Sequence, residues 1–430
     1  MYERMRGFLI RLLTSEAKLA LRLHDPQIVA VTGNLGKTTT KDAIYAAVAP
    51  HMWARKSEKS FNSDIGVPLA ILGLSNPWAN PVRWAWALVK GFFSALLPFP
   101  KLLVLEVGAD APGDIQKIAT WLRPHIAVYT GVPEIPVHIA YFASRDDLVR
   151  EKRALLFHVR PGGTIIVNAD MHPEEATAGL IGTIRTYGFA ATADFAATDV
   201  RVLAGADGLP AGISVRVQSD TQEATLDIHG AIGKPRAYAA LAALAVASAL
   251  GIKHADAIAT LAQWSPPSGR MRLLRGVHGA IIIDDSYNSS PAAALSALET
   301  LAEVPGKRKI AILGDMRELG EFSEKGHRLV GQYAAKVADV LVTVGEESKV
   351  LAQAARDAGM SPTVIREYGY DSAQQVGKDV AREVLPGDVI LVKGSQNRIR
   401  LERAVYELLA DRSHAQAQLV RHERAWRAKA

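Results

Sequence analysis

IVAVTGNLGKTTTKDAI, Ile28 to Ile44, is the stretch whose reading decides the fold. Ile28 to Val31 is a short apolar run rich in β-branched residues, which predicts a buried parallel strand. Gly33, Asn34, Leu35 and Gly36 predict a tight turn, and Lys37, Thr38 and Thr39 open a helix. Strand, glycine turn and helix together make a phosphate cradle. The glycines let backbone N–H groups approach phosphate oxygens and the helix N-terminus adds positive potential. Lys37 supplies a charge and Thr38 a hydroxyl for Mg²⁺. Gly33, Asn34, Gly36, Lys37, Thr38 and Thr39 are therefore candidate nucleotide-binding residues. The spacing Gly-x-x-Gly-Lys-Thr-Thr is shorter than the general P-loop, which wants a glycine at Val31; an ordinary strand–helix connection is the alternative.

Outward from this loop, KLLVLEV (101–107) reads as a second buried strand, with Glu106 at its end. A buried carboxylate is costly unless it binds a cation or is hydrogen-bonded, and an acid ending the strand beside a phosphate-binding one typically meets Mg²⁺. Ile126 to Thr130 is a third strand, followed by the proline-rich GVPEIPVH ending at His138. Ser144 to His158 predicts a helix bearing Glu151 and Lys152, and TIIVN (164–168) another strand. This alternation predicts an α/β domain with a doubly wound parallel sheet. Within 186–229, short apolar runs separated by Gly and Pro predict a small antiparallel meander. An Ala-rich helix follows, Ala237 to Leu250. WSPPSG (264–269) is the clearest boundary. Beyond it, strands and helices alternate again as a second, Rossmann-like α/β domain. The organisation expected is an amphipathic helix over 1–25, a central ATP-binding domain over 26–265 and a C-terminal domain over 266–430.

Two segments stand apart. The spacing of Met5, Phe8, Leu9, Leu12 and Leu13 is that of an amphipathic helix, either packed on the first domain or meeting a membrane surface. Trp78 to Pro100 carries Trp84, Trp86, Phe92, Phe93 and Phe99 with only Arg83 and Lys90 charged. It is too interrupted to span a bilayer; an aromatic cap over the site, a docking surface or lipid contact are the readings open to it. Composition narrows the classes further. The chain has 430 residues, 49% hydrophobic and 22% charged, as in ordinary multidomain globular proteins. With no cysteine there are no disulfides and no thiolate-bound zinc. The net charge of +6 suits anionic substrates such as nucleotides, but no basic run with interleaved aromatics argues for nucleic acid. No secretory leader is recognisable, since Arg11 interrupts the apolar region.

Six stretches in order make a family resemblance: VTGNLGKTTTK (31–41), FNSDIGVP (61–68), LEVGADAPGDI (105–115), GRMRLLRGVHGAIIIDDSYNSSP (269–291), LGDMRELGE (313–321) and VKGSQNRIRLE (392–402). Together the chain resembles the Mur ligases, most closely the subgroup that adds D-Ala-D-Ala to a muramyl tripeptide. The resemblance implies an ATP-dependent amide ligase of peptidoglycan precursor synthesis, cytoplasmic or peripheral at the inner membrane face. Its substrates would be a muramyl-peptide precursor and D-Ala-D-Ala or a similar amine, and its chemistry would run through an acyl phosphate with ATP and two Mg²⁺ sites. Carried over residue by residue, it assigns catalytic roles to Lys37, His138, Lys152 and Lys393. Metal ligation falls to Thr38, Glu106, His138 and a carbamylated Lys152, nucleotide contact to Arg270 and Asp285, and substrate contact to Asn62, Ser63, Asn288, Ser395 and Arg398.

Three departures qualify that expectation. The family's His-Asn-x-x-Asn signature is replaced by Pro235, Arg236 and Ala239, so adenine recognition must differ. Gly131 stands where an Asn is common. Some 25 residues precede the first strand where the family has a UDP-binding domain. The expectation is therefore a chain without that domain, or one that uses a partner in its place, or one acting on a lipid-linked, carrier-linked or folylpolyglutamate-type acceptor. A non-catalytic nucleotide-binding subunit is the reading from a different class.

Overall fold

The computed structural model describes residues 2–58, 61–77, 80–219, 222–396 and 398–421, with side chains from Arg6 onward. Trp78 and most of the basic tail (419–430) lie outside the described residues. The first sheet is built from β1 (Gln27–Thr32), β2 (Ala54–Lys56), β3 (Leu102–Glu106), β4 (Ile126–Tyr129), β5 (Thr164–Asn168), β6 (Thr183–Gly188), β7 (Phe195–Ala204), β8 (Pro210–Ser219) and β9 (Glu223–His229). Their order is β2-β3-β1-β4-β5-β6-β7-β8-β9. Pairing is parallel as far as β7 and antiparallel from β7 to β9, so the expected meander is present as a continuation of the parallel sheet. The second sheet contains β10 (Arg272–Arg275), β11 (Ile281–Asp285), β12 (Arg308–Gly314), β13 (Val340–Val344), β14 (Ile365–Tyr368) and β15 (Asp388–Lys393), in the order β10-β11-β15-β12-β13-β14. Only β10 is antiparallel to its neighbour.

The helices that bear on the site are α1 (Tyr2–His24), α2 (Lys37–Val48), α3 (Gly66–Leu72), α4 (Pro81–Leu96), α5 (Asp114–Leu122), α6 (Arg145–Phe157), α7 (Pro173–Thr177), α8 (Lys234–Ala249), α9 (His254–Ala262) and α10 (Pro291–Glu303). One face of the first sheet is covered by α2 and α8. The Ala-rich α8 is buried nearly all round, because small side chains let it press against α2 without protruding. The other face is covered by α1, α3, α5 and α6, through Leu13, Ala17, Ile71, Ile118 and Leu155 among others. β1 lies between β3 and β4 and its chain leaves at the C-terminal edge, where the strand order diverges. That crevice is where open α/β sheets bind ligands.

Elements the sequence pattern did not reveal are short or atypical. β2 has three residues beside a lysine-rich stretch, and β14 (IREY) lacks a continuous apolar run. The aromatic stretch is a helix, α4, started by Asn80, whose side chain accepts from the Arg83 N–H, with Pro81 next. α4 packs on α1 and α3 with Trp86, Phe92 and Phe93 outward and Trp84 half-buried against the core, so it does not cap the phosphate loop. The helix expected from Ile399 onward is shorter, Glu402–Leu408.

Candidate active site

The phosphate loop turns on two glycines with positive φ, Gly33 at 129° and Gly36 at 76°. At Gly33 a side chain is also barred by space, since a Cβ there would meet the Thr130 hydroxyl at 2.2 Å. Asn34 is fully employed inside the protein. Its Nδ2 donates to the Val137 carbonyl at 2.9 Å and its Oδ1 accepts from the Val137 N–H at 3.0 Å, while its own N–H donates to the Gly131 carbonyl at 2.8 Å. The structure therefore makes Asn34 the clamp between the phosphate loop and the loop that ends at His138. Gly131 fits the same clamp: its φ is +94° and a Cβ would lie 2.5 Å from Met171.

Thr38 Oγ1 donates to Glu106 Oε2 at 2.9 Å, and Asn62 Nδ2 donates to Glu106 Oε1 at 2.9 Å. Parallel pairing of β1 with β3 sets Glu106 beside Val31, level with the start of the turn. The carboxylate is buried, and both its oxygens are held by donors at the mouth of the loop. Ser63, just before α3, uses its hydroxyl to accept from the N–H of the helix's first residue, Gly66, at 3.2 Å. Thr38 with Glu106 is a hydroxyl–carboxylate pair of the kind that holds Mg²⁺ against nucleotide phosphates, so the residues present fit that ion. Among the described residues no group of three or more His, Asp or Glu is arranged to hold a metal. Phosphate oxygens and water would complete the coordination.

Lys152 points from α6 into the same region. It is 1% exposed and its Nζ donates to the Ala109 carbonyl at 3.3 Å. Burial, reinforced by the Lys37 charge, pushes its ammonium down from 10.5 to about 7, against the opposing pull of Glu151, Asp110 and Asp114. Burial likewise lowers Lys37, with Glu106 opposing and Arg270 assisting. Glu151 next door has a separate task. Its carboxylate accepts from the N–H groups of Gly113 at 2.8 Å and Ile115 at 2.6 Å, capping α5 and fixing the loop that presents Ala109.

The second sheet contributes a matching set. Register places Asp285 beside Lys393 at the C-terminal ends of β11 and β15. Lys393 Nζ donates to Asp285 Oδ2 and, at 3.0 Å, to the Asn288 carbonyl; Asp285 Oδ1 accepts from the Met271 N–H at 3.1 Å. Arg270 lies over the Tyr287 ring, 4.0 Å from its centroid, and its charge reaches Lys37 across the junction. Ser395 accepts from the Arg317 N–H at 3.0 Å and is buried, whereas Arg398 is exposed over Tyr370. His138 has a positive φ of 69°, and its Nδ1 lies 2.9 Å from Glu318 Oε2. That contact joins the two α/β units and holds the Glu318 carboxyl below its usual range.

Four residues that the sequence reading left without a role belong here. Asp110 and Glu318 lie within quoted motifs, but nothing in their spacing said which lysine or histidine they would face. Asp284 is fully buried, accepts from Ser286 and is pushed up to about 6 by burial. Arg236 is 1% exposed over the Trp264 ring, its Nε and Nη1 have no hydrogen-bond partner, and burial lowers it to about 9. The charges it feels include Asp285, Arg270 and Asp42, which places it at the junction of the two units.

Residues 88–247 match the Mur ligase middle domain and residues 269–396 the Mur ligase glutamate ligase domain, together about two thirds of the chain. The chain belongs to the Mur ligase family. Among its relatives, the UDP-N-acetylmuramoyl-tripeptide–D-alanyl-D-alanine ligase of Bacillus subtilis is 27% identical over 396 residues, 91% of this chain and 78% of that one. The enzyme of the same name from Mycobacterium tuberculosis strain H37Rv is 29% identical over 409 residues, 89% and 73% respectively. The solved MurF ligase of Thermotoga maritima, in complex with ADP, superposes with a TM-score of 0.77 at 25% identity, over 93% of this chain and 83% of that one. Folylpolyglutamate synthase of M. tuberculosis, also with ADP, shares the fold at a TM-score of 0.63 and 17% identity. In this Mur ligase the candidate site residues thus come from both α/β units, with Lys37, Glu106 and Lys152 from the first and Arg270, Asp285 and Lys393 from the second.

Proposed function

We propose that this Mur ligase is an ATP-dependent amide ligase that joins D-Ala-D-Ala to a muramyl tripeptide in the cytoplasm, by way of an acyl phosphate. The observation that carries the reading is the convergence at one loop of Lys37, the Thr38–Glu106 pair and the buried Lys152, faced by Arg270 from the other sheet.

Each group has a task in that chemistry. A carboxylate and a triphosphate repel, so the site must neutralise charge before they can meet. Lys37 and the α2 N-terminus would take the β- and γ-phosphates, and Arg270 would approach them from the second unit. Mg²⁺ held by Thr38 and Glu106 would screen the phosphate oxygens and polarise the γ-phosphorus. The substrate carboxylate oxygen then bonds to that phosphorus as the bond to ADP breaks. The amine attacks the acyl carbon, loses a proton, and phosphate leaves. Lys152, with about half of its amine neutral at pH 7, can take up CO₂ and release a proton; the carbamate so formed would be an anion suited, with His138, to a second Mg²⁺. Asn62, on the loop that touches Glu106, would meet the acyl substrate. Lys393, with Asp285, Asn288 and Ser395, would border the amine. Arg236 offers donors only, so it suits acceptor atoms of the nucleotide where the family's amides would offer both kinds.

Phosphate release from ATP and Mg²⁺ tests this, with UDP-muramyl tripeptide alone, D-Ala-D-Ala alone, and both. Release that needs both, with a pentapeptide product by mass spectrometry, is expected. ATP binding without turnover on the pair would overturn this choice of substrates and direct the search to another acceptor.

A further inference from the structure

Helix α4 is built inside out. Its buried positions are Ala87, Gly91 and Ala95, while Val82, Trp86, Val89, Phe93 and Leu96 face solvent. These five recur every three or four residues, so they form one stripe opposite the small ones. The stripe is strongly exposed, Trp86 at 67% and Phe93 at 57%, and Phe92 and Leu97 widen it. The small face is needed inside: a Cβ on Gly91 would come within 2.3 Å of Glu16 Oε2 on α1. Nothing within the described chain accounts for the large face. Patches of this kind mark interaction surfaces.

The charges around it identify the partner. From Ser75 to Lys101 the sequence has no Asp or Glu, while Arg83, Lys90 and Lys101 are all exposed. On the adjoining α1, Phe8 is 63% exposed and Arg11 is exposed beside it. A second copy of this chain would set these cations against their own kind. An apolar, Trp- and Phe-bearing stripe in a segment whose only charges are Lys and Arg is instead the pattern of a helix lying in the plane of an anionic bilayer. At 16 residues α4 is too short to cross one, and no described helix is long and apolar enough to do so. We propose that α4, with the exposed side of α1, docks this protein peripherally on anionic lipid. The proposal does not depend on which substrates the ligase takes. The platform is tied to the site all the same: Arg6 of α1 pairs with Asp64 at 3.2 Å, on the loop whose Asn62 holds Glu106.

The test is flotation of the full chain with phosphatidylcholine vesicles and with vesicles that also contain phosphatidylglycerol, at low and high salt, alongside sedimentation without lipid. The wild type should float with anionic vesicles, less at high salt, and weakly with neutral ones. W86S/F93S should lose on the order of tenfold in partitioning per aromatic removed, and R83E/K90E should lose the preference for anionic lipid. All four side chains face solvent, so unchanged unfolding midpoints are expected and separate lost binding from lost folding. A wild type that stays soluble with both vesicles would overturn the proposal. So would a dimer that W86S/F93S converts to monomer while neither protein floats.

Discussion

Lys152 offers the sharpest test of how tertiary structure sets chemistry in this protein. Its ammonium is pushed down to about 7, chiefly by burial and then by Lys37. At about pH 7.5, a pKa of about 7 leaves roughly three quarters of the amine neutral, against roughly one part in a thousand for an ordinary lysine. Only the neutral amine adds CO₂, so the structure raises the reactive fraction by several hundredfold. The sign follows directly: reactivity is lost as pH falls through about 7, because protonation removes the nucleophilic lone pair. Carbon-13 NMR of the full chain in labelled bicarbonate should show one slow-exchanging carbamate that grows in with a midpoint near 7 and is missing from Lys152→Ala. That variant should lose at least a hundredfold in ligation, with partial rescue by a short carboxylate. A carbamate that survives in Lys152→Ala, or formation that rises only near pH 10, would refute the reasoning.

Three further outcomes follow from the geometry. Glu106→Gln keeps the contact with Asn62 but removes the charge facing Thr38, so the Mg²⁺ concentration needed for half-maximal ATP turnover should rise at least tenfold; an unchanged Mg²⁺ titration would count against Glu106 as a ligand. Lys393→Ala leaves Asp285 buried without its cation and should cost about 3–5 kcal/mol in urea unfolding, while adding Asp285→Asn should recover much of it; a double variant as unstable as the single would contradict this. Glu16 is raised to about 7 by burial against α4, with Oε2 unpartnered. Because its folded value lies above the unfolded one, its burial favours folding more as pH falls from about 7 toward 4.5. Glu16→Gln should flatten that part of the stability–pH curve, and a curve that keeps its slope would assign the slope to another group.

Much of the architecture could be read in the chain because its signals are local. A strand, a turn with glycines at positive φ and a helix opening on Lys-Thr make a candidate phosphate loop that can be read locally, since backbone geometry and helix N-termini do not depend on distant residues. Alternating apolar strands and helices give the doubly wound sheets for the same reason, and Glu106 announced itself as an acid in an apolar strand. Asn34 was named from its place in the loop, yet its side chain serves the Val137 backbone, a partner 103 residues away that no local pattern shows. Helix α4 was visible only as an aromatic oddity, because which side of a helix is buried depends on what packs against it.

The sequence alone determined the two-unit α/β frame and the candidates within it: a glycine turn opening on Lys37-Thr38, and an acid, Glu106, ending the neighbouring strand. Tertiary structure decided how those groups behave. Burial, reinforced by Lys37, lowers Lys152 to about 7, so that a large share of its amine is neutral near physiological pH. Parallel register brings Asp285 to Lys393 across 108 residues. Close packing against Glu16 turns the small face of α4 inward and its aromatics out. Each of these depends on solvent exclusion and on the approach of distant segments, quantities that exist only once the chain has closed on itself.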